Sequence, residues 1–174
     1  MFLDRDGTIT EEVGYLNHLN RYRLLDRGAD AIRRLNEAKL AVIVVTNQSG
    51  VGRGYFPEQV VHDVHEKMIA ELLEFGARID GVYYCPHIAA DQCDCRKPRT
   101  GMLEQAAREH HLDVKRSFVL ATVLAISNWR IAAAREVFWC GRATAKASWP
   151  GTRKVGLGSR TSLPRTWPTR PNGL

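Results

Sequence analysis

Two carboxylates stand two residues apart in Asp4-Arg5-Asp6-Gly7-Thr8, directly after the apolar lead Met1-Phe2-Leu3. One carboxylate so placed can attack phosphorus as a nucleophile while its neighbour gives a proton to the leaving oxygen and later activates water. Asp and Gly are equally at home in an ordinary solvated turn, so this run alone leaves both readings open. Thr46-Asn47 offers a hydroxyl, an amide and backbone N–H groups suited to phosphate oxygens, or it simply closes a strand. Arg96-Lys97-Pro98 sets two cations ahead of a helical pattern, where they neutralise a phosphoryl group or form a plain surface charge pair. Cys85-Pro86-His87 and Cys93-Asp94-Cys95 bring three thiols and an imidazole together within eleven residues. Four soft or borderline ligands with no spare position describe a closed tetrahedral zinc site of the structural type better than a set of reduced surface thiols. Such a metal pins the loop that carries Arg96 and Lys97. His18, His62, His65, His110 and His111 have no comparable setting; most of them read as surface residues and none is assigned a role, and Cys140 lies too far along the chain to be a ligand.

These groups need elements to position them. Ala31, Ile32, Leu35 and Ala38 recur at helical spacing within a segment from about Gly28 to Lys39. Leu40 to Val45 is apolar, β-branched toward its end and continuous, as in a strand buried on both faces, and it ends in the turn Thr46 to Gly50. Pro57 opens a helix at its first position, with Val60, Val61, Val64, Met68, Leu72 and Phe75 along one face and Gly76 as its stop. Gly81 to Tyr84 reads as a third strand, Met102 to His110 as a helix, and Ser117 to Val119 as the start of a fourth strand. Strand and helix alternate, which predicts an α/β fold: a Rossmann-like parallel sheet with helices on both faces. The three polar clusters each follow a predicted strand and so converge on the carboxyl edge, where such sheets bind ligands.

Among the 174 residues 44% are apolar and 25% charged, enough to bury a core and too little charge for a disordered chain. No apolar run approaches the roughly 20 residues of a membrane helix. Neither a basic n-region nor an apolar h-region follows Met1, so a cytoplasmic location is expected. The net charge of +6 is unevenly spread: residues 1–113 hold 18 acidic and 14 basic residues, whereas 114–174 hold 11 basic residues and the single acid Glu136. All four tryptophans and four of the seven prolines lie in that second part, with no tyrosine or aspartate. The basic character therefore belongs to the tail and gives the folded part no reason to bind nucleic acid.

Taken together, FLDRDGTI, VVTNQSG, the YYCPH and CDCRKP pair and GMLEQAAREHHLD resemble the haloacid dehalogenase superfamily of phosphatases, in the group of bacterial heptose 1,7-bisphosphate 7-phosphatases and histidinol-phosphatases. The likeness runs from residue 1 to about 119 and includes GYLNH around Tyr15. It implies attack by Asp4 on the C7 phosphate to give an aspartyl-phosphate, with Asp6 as general acid and then base. Thr46 and Lys97 would hold phosphoryl oxygens, and Arg96 would help recognise substrate. Glu12, Val13, Gly14, Tyr15, Asn47, Gln48 and Ser49 would line the pocket. Mg2+ would bind the Asp4 carboxylate and the Asp6 backbone carbonyl, zinc would sit on Cys85, His87, Cys93 and Cys95, and the expected partner is a small phosphorylated sugar met by a monomer without nucleic acid or membrane.

The chain departs from this group after the fourth strand, where a Gly-Asp-x-x-x-Asp motif completes the magnesium site: no aspartate follows Asp113. Back-translation offers a reason. Displaced codons force Leu from Asn128-Trp129 and Leu-Val from Phe138-Trp139-Cys140, and permitted third bases elsewhere yield the missing motif, a helix and a fifth strand. We therefore expect residues 1–119 to form the phosphatase domain, including the zinc loop 85–95, and residues 120–174 to be an aberrant, frameshifted and poorly ordered tail that impairs activity. Met1 stands where the group has an interior strand residue, so a start upstream or at a valine-type codon is also expected. The rivals are a histidinol-phosphatase or other small phosphomonoester hydrolase, a catalytically dead zinc-bound domain, and a nucleic-acid-binding tail, the last favoured by composition without a motif.

Overall fold

The computed structural model describes residues 1–122, 136–140 and 154–155. Its elements are β1 (Phe2–Leu3), α1 (Gly28–Glu37), β2 (Ile43–Asn47), α2 (Glu58–Glu74), β3 (Gly81–Cys85), α3 (Gly101–Glu109), β4 (Phe118–Thr122), β5 (Glu136–Cys140) and β6 (Lys154–Val155). The sheet order is β3-β2-β1-β4-β5-β6. All pairings are parallel except that of β6 with β5. The chain winds outward from β1 to β3 and returns to place β4 on the other side of β1, so the direction of winding reverses where Asp4 leaves the sheet. That reversal opens the crevice in which doubly wound sheets bind ligands.

Alternation along the strands builds two cores from one short stretch of sequence, because successive strand side chains point to opposite faces. Leu3, Val42 and Val44 pack with Ile32 of α1 and Val64, Met68 and Leu72 of α2. Phe2, Ile43, Val45, Val119 and Ala121 pack with Met102, Leu103 and Ala106 of α3. Helices thus cover both faces, as the continuous apolar character of the second strand requires.

Several boundaries differ from the sequence expectation for local reasons. Lys39 takes a left-handed conformation (φ 59°) in the turn after α1, and β2 begins only at Ile43. Its last two residues are Thr46 and Asn47, which lie in the strand and not in the turn. Pro57 caps α2 from outside the helix instead of opening it. Phe75 follows the last helical residue and is 58% exposed, while Gly76 (φ 69°) turns the chain so that Ala77 enters the core in its place. The expected domain limit at 119 falls inside β4: Ala121 is fully buried, and the Leu120 carbonyl accepts from the Asp4 amide at 2.8 Å. Apart from Leu120–Thr122, β5 and β6, the expectation for 120–174 lies outside the described residues, as does Trp129.

Candidate active site

Each predicted cluster reaches the carboxyl edge of the sheet. Asp4, the first residue past β1, is 5% exposed; its Oδ1 accepts from the Arg5 amide at 2.8 Å and lies 2.7 Å from Lys97 Nζ. Lys97 Nζ also donates to the Val45 carbonyl at 3.0 Å, which ties the lysine to β2. Burial pushes the Asp4 carboxyl up from the usual range, and the charge and hydrogen bond of Lys97 oppose that rise. A carboxylate buried in this way depends on this cation to stay ionised.

The turn itself is compact. The Arg5 carbonyl accepts from the amides of Thr8, Ile9 and Thr10, and Gly7 supplies the positive φ of 71° that the reversal needs. Asp6 projects toward the end of β2, where its Oδ2 accepts from Gln48 Nε2 at 2.9 Å and lies 3.4 Å from Thr46 Oγ1. The Arg5 guanidinium grips the same carboxylate, Nε to Oδ1 at 3.0 Å and Nη2 to Oδ1 at 2.9 Å and Oδ2 at 3.1 Å. Arg5 Nη1 faces His65 Nε2 at 3.3 Å. A guanidinium only donates, so Nε2 is the acceptor and the imidazole proton sits on Nδ1. His65 is buried, and that burial, followed by the charges of Arg5 and His62, lowers its pKa to about 3.

Sequence reasoning missed both members of this pair. His65 was assigned no role among histidines read mostly as surface residues, yet it lies on the buried face of α2 with Val61, Val64 and Met68, and its spacing from them is the signal that could have placed it there. Arg5 carried no signal of its own beyond lying between two site carboxylates.

The amides of β2's end divide between two partners. Asn47 Nδ2 donates to the Lys97 carbonyl at 3.2 Å and its Oδ1 accepts from the Lys97 amide at 3.0 Å. Gln48 Nε2 reaches Thr46 Oγ1 at 2.8 Å as well as Asp6. Both residues, expected to line the pocket, thus have protein partners for these amides. The segment from Glu12 to Tyr15, expected to line the pocket, is clamped by Arg21, which donates to the Val13 carbonyl at 2.9 Å and the Tyr15 carbonyl at 2.8 Å. Glu12 Oε1 accepts from the Gly14 amide at 2.9 Å, and the Tyr15 ring meets Tyr55 edge-on at 4.8 Å. The Ser49 carbonyl accepts from the Arg53 amide in the next turn, and Arg96 folds back to donate to the His87 carbonyl at 3.1 Å.

Cys85, His87, Cys93 and Cys95 each aim one donor atom at a common point, all four atoms lying within 4.8 Å of one another. The sulfurs of Cys85 and Cys93 are 3.6 Å apart, and His87 Nδ1 is 3.2 Å from Cys95 Sγ. Burial pushes the Cys85 thiol well above its usual range. The donor set and its spacing fit a tetrahedral zinc ion. The magnesium donors expected of Asp4 and Asp6 belong to the first turn, and among the described residues no acid follows β4 at this edge. Glu136 opens β5 opposite Phe118, at the far end of the strands from Asp4.

The family described as polynucleotide kinase 3 phosphatase matches residues 1–148. D-glycero-β-D-manno-heptose-1,7-bisphosphate 7-phosphatase of Haemophilus influenzae is 40% identical over 126 residues, covering 69% of this chain and 68% of its own. This chain is a haloacid dehalogenase-type phosphatase of the heptose bisphosphate group. It is by family a hydrolase of phosphoric monoesters, which is the chemistry the Asp4 and Asp6 turn was read for. The Escherichia coli K12 enzyme of the same name is 39% identical over 131 residues, covering 71% of this chain and 69% of its own. A crystal structure of D,D-heptose 1,7-bisphosphate phosphatase from B. bronchiseptica, complexed with magnesium and phosphate, superposes with a TM-score of 0.71 at 31% identity, covering 77% of this chain and 75% of that one.

Proposed function

We propose that this chain hydrolyses the C7 phosphate of D-glycero-D-manno-heptose 1,7-bisphosphate through an aspartyl-phosphate on Asp4. The observation that carries the reading is the buried Asp4–Lys97 pair beside Asp6, Thr46 and Gln48 at the winding reversal. Asp4 attacks phosphorus as the ester P–O bond breaks, and the departing sugar oxygen takes the proton of the Asp6 carboxyl. Water then attacks phosphorus, giving a proton back to Asp6, and the Asp4–phosphate bond breaks to release inorganic phosphate. Lys97 and the Thr46 hydroxyl hold the phosphoryl oxygens, and Arg96 with the rim from Glu12 to Tyr15 receives the sugar. Mg2+, when bound by the Asp4 carboxylate and the Asp6 backbone carbonyl, screens the phosphate charge from the nucleophile. Zinc on Cys85, His87, Cys93 and Cys95 holds the loop that carries Lys97. The likeness to heptose bisphosphate phosphatases supports the heptose substrate.

The same reading takes the enzyme as a cytoplasmic monomer acting on a small sugar, independent of nucleic acid and membrane. Among the described residues no helix is long and apolar enough to cross a membrane. It also takes the missing acids after β4 as the reason for impaired turnover, and the displaced frame as their source. The test assays phosphate release from heptose 1,7-bisphosphate, histidinol phosphate and a 3′-phosphorylated oligonucleotide, with and without Mg2+. It uses the chain as written and a version with the displaced frame restored after Val119. The heptose ester is expected to be preferred, and the restored version to be the faster. Preference for either other ester reassigns the substrate, and equal rates for the two versions refute the account of the tail.

A further inference from the structure

The Asp6 carboxylate is held from two sides by groups that no step of the hydrolysis consumes. On one side lies the Arg5 fork described above, with the arginine 1% exposed. On the other, Gln48 offers two amide protons, one to Asp6 Oδ2 at 2.9 Å and one to Thr46 Oγ1 at 2.8 Å. Gln48 is itself fixed, since its backbone amide donates to the Cys85 carbonyl at 2.7 Å. An apolar side chain would fill the Arg5 position without the desolvation cost of a buried cation, and a lysine would bring the charge without the planar fork. What only these two side chains supply is an orientation for the carboxylate. Oδ1 takes the two shorter Arg5 contacts, which leaves Oδ2 on the side of the Thr46 hydroxyl.

We propose that Arg5 and Gln48 are the positioning residues of the proton-transfer step: the Arg5 fork fixes the plane of the Asp6 carboxylate, and Gln48 holds Oδ2 beside the phosphoryl-binding hydroxyl of Thr46. His65 seats the guanidinium from behind. The inference rests on the phosphatase reading above, in which Asp6 gives its proton to the leaving oxygen as the ester bond breaks. Misorientation then slows bond breaking without weakening the hold on substrate.

The test uses the full chain with Mg2+, in excess over substrate, and follows release of the leaving group from two monoesters. Ethyl phosphate needs a proton on its leaving oxygen; 2,4-dinitrophenyl phosphate does not. Gln48→Met keeps the side chain's length and removes its donor. It should slow ethanol release about 10- to 100-fold and dinitrophenolate release by less than about threefold, as loss of an oriented acid does. In an Asp6→Asn background the same change should add nothing. Arg5→Lys should show the same selectivity, with thermal melting to verify the fold of a variant at a buried site. Equal losses on both esters, or full additivity with Asp6→Asn, would mean a merely structural role and overturn the proposal. If the parent is no faster than Asp4→Asn on dinitrophenyl phosphate, the phosphatase reading of this chain fails, and the positioning role with it.

Discussion

The turn after β1 and the loop after β3 reach the same edge of the sheet, but different forces hold them. In the turn every charge is matched inside the protein: Asp4 with Lys97, and Asp6 with Arg5. Backbone bonds to the Arg5 carbonyl close it, and His65 completes the cation's shell. The loop instead gathers three thiols and an imidazole, groups that hold each other weakly without an ion. It is tied to the sheet by the pair of hydrogen bonds between Asn47 and the Lys97 backbone and by Lys97 Nζ on the Val45 carbonyl. The turn thus has its own partners for every charge, whereas the loop gathers donors that fit a metal. Lys97 belongs to both, so the counter-ion of the buried Asp4 carboxylate depends on the loop's integrity.

The widest separation of the two regions comes from Asp4→Asn. Turnover on any phosphomonoester should fall to background, because the amide keeps the shape and loses the attacking charge. The fold and the zinc content should persist, since Lys97 keeps its bond to the Val45 carbonyl. Normal turnover in this variant would remove Asp4 from its role. Zinc comes next. Protein purified without added zinc should carry about one equivalent, and less than about half an equivalent in a folded, reduced sample would count against the four-ligand site. Stripping the metal should raise KM and speed amide hydrogen exchange from Cys85 to Lys97, with exchange in the Asp4–Thr10 turn unchanged. Loosening of both regions together would show that the turn is not self-sufficient.

A smaller effect is expected at Asn47. Replacing it with alanine leaves two backbone groups of Lys97 without their partner, at a cost of about 1–3 kcal/mol. The metal should stay, and KM should rise by about tenfold, the lower half of that energy expressed as substrate binding. Zinc titration of Asn47→Ala beside steady-state kinetics checks both halves. Loss of zinc from this variant would make Asn47 part of the metal site's support and blur the distinction.

Much of this arrangement is legible in the sequence. Residues 40–45, continuous and apolar, pointed to a strand covered on both faces, and two cores meet on its alternating residues Val42, Ile43, Val44 and Val45. The Cys/His spacing named four donors that do converge. What escaped notice was the work of side chains whose type has many uses. Asn47 and Gln48 are adjacent amides at the end of one strand, and only their placement sends one to the Lys97 backbone and the other to Asp6. Arg5 is a residue type rarely buried alone, and it becomes intelligible only once Asp6 and His65 are seen on either side. Periodicity finds cores, whereas pairings between distant polar groups depend on the third dimension.

The smallest expected effect tests whether the turn is self-sufficient at all pH values. His65 is held neutral, with its pKa lowered from 6.5 to about 3, and its Nε2 must stay unprotonated to accept from Arg5. The unfolded chain takes up a proton near pH 6.5 and the folded chain does not until about pH 3. More protons are therefore bound by the unfolded state between those values, and stability rises with pH there. His65's contribution is complete above about 6.5 and is lost as the pH falls toward about 3, at no more than about 1.4 kcal/mol per pH unit. His65→Gln offers an amide oxygen to the same guanidinium and does not titrate. Urea midpoints at pH 7.5, 5.5 and 4.5 should fall more steeply in the parent than in the variant. Acid effects elsewhere in the chain are common to both proteins, so the difference in slope isolates His65. Parallel slopes would mean that the imidazole does not sit against Arg5 in the folded chain, and the turn would then need another acceptor to hold its buried cation.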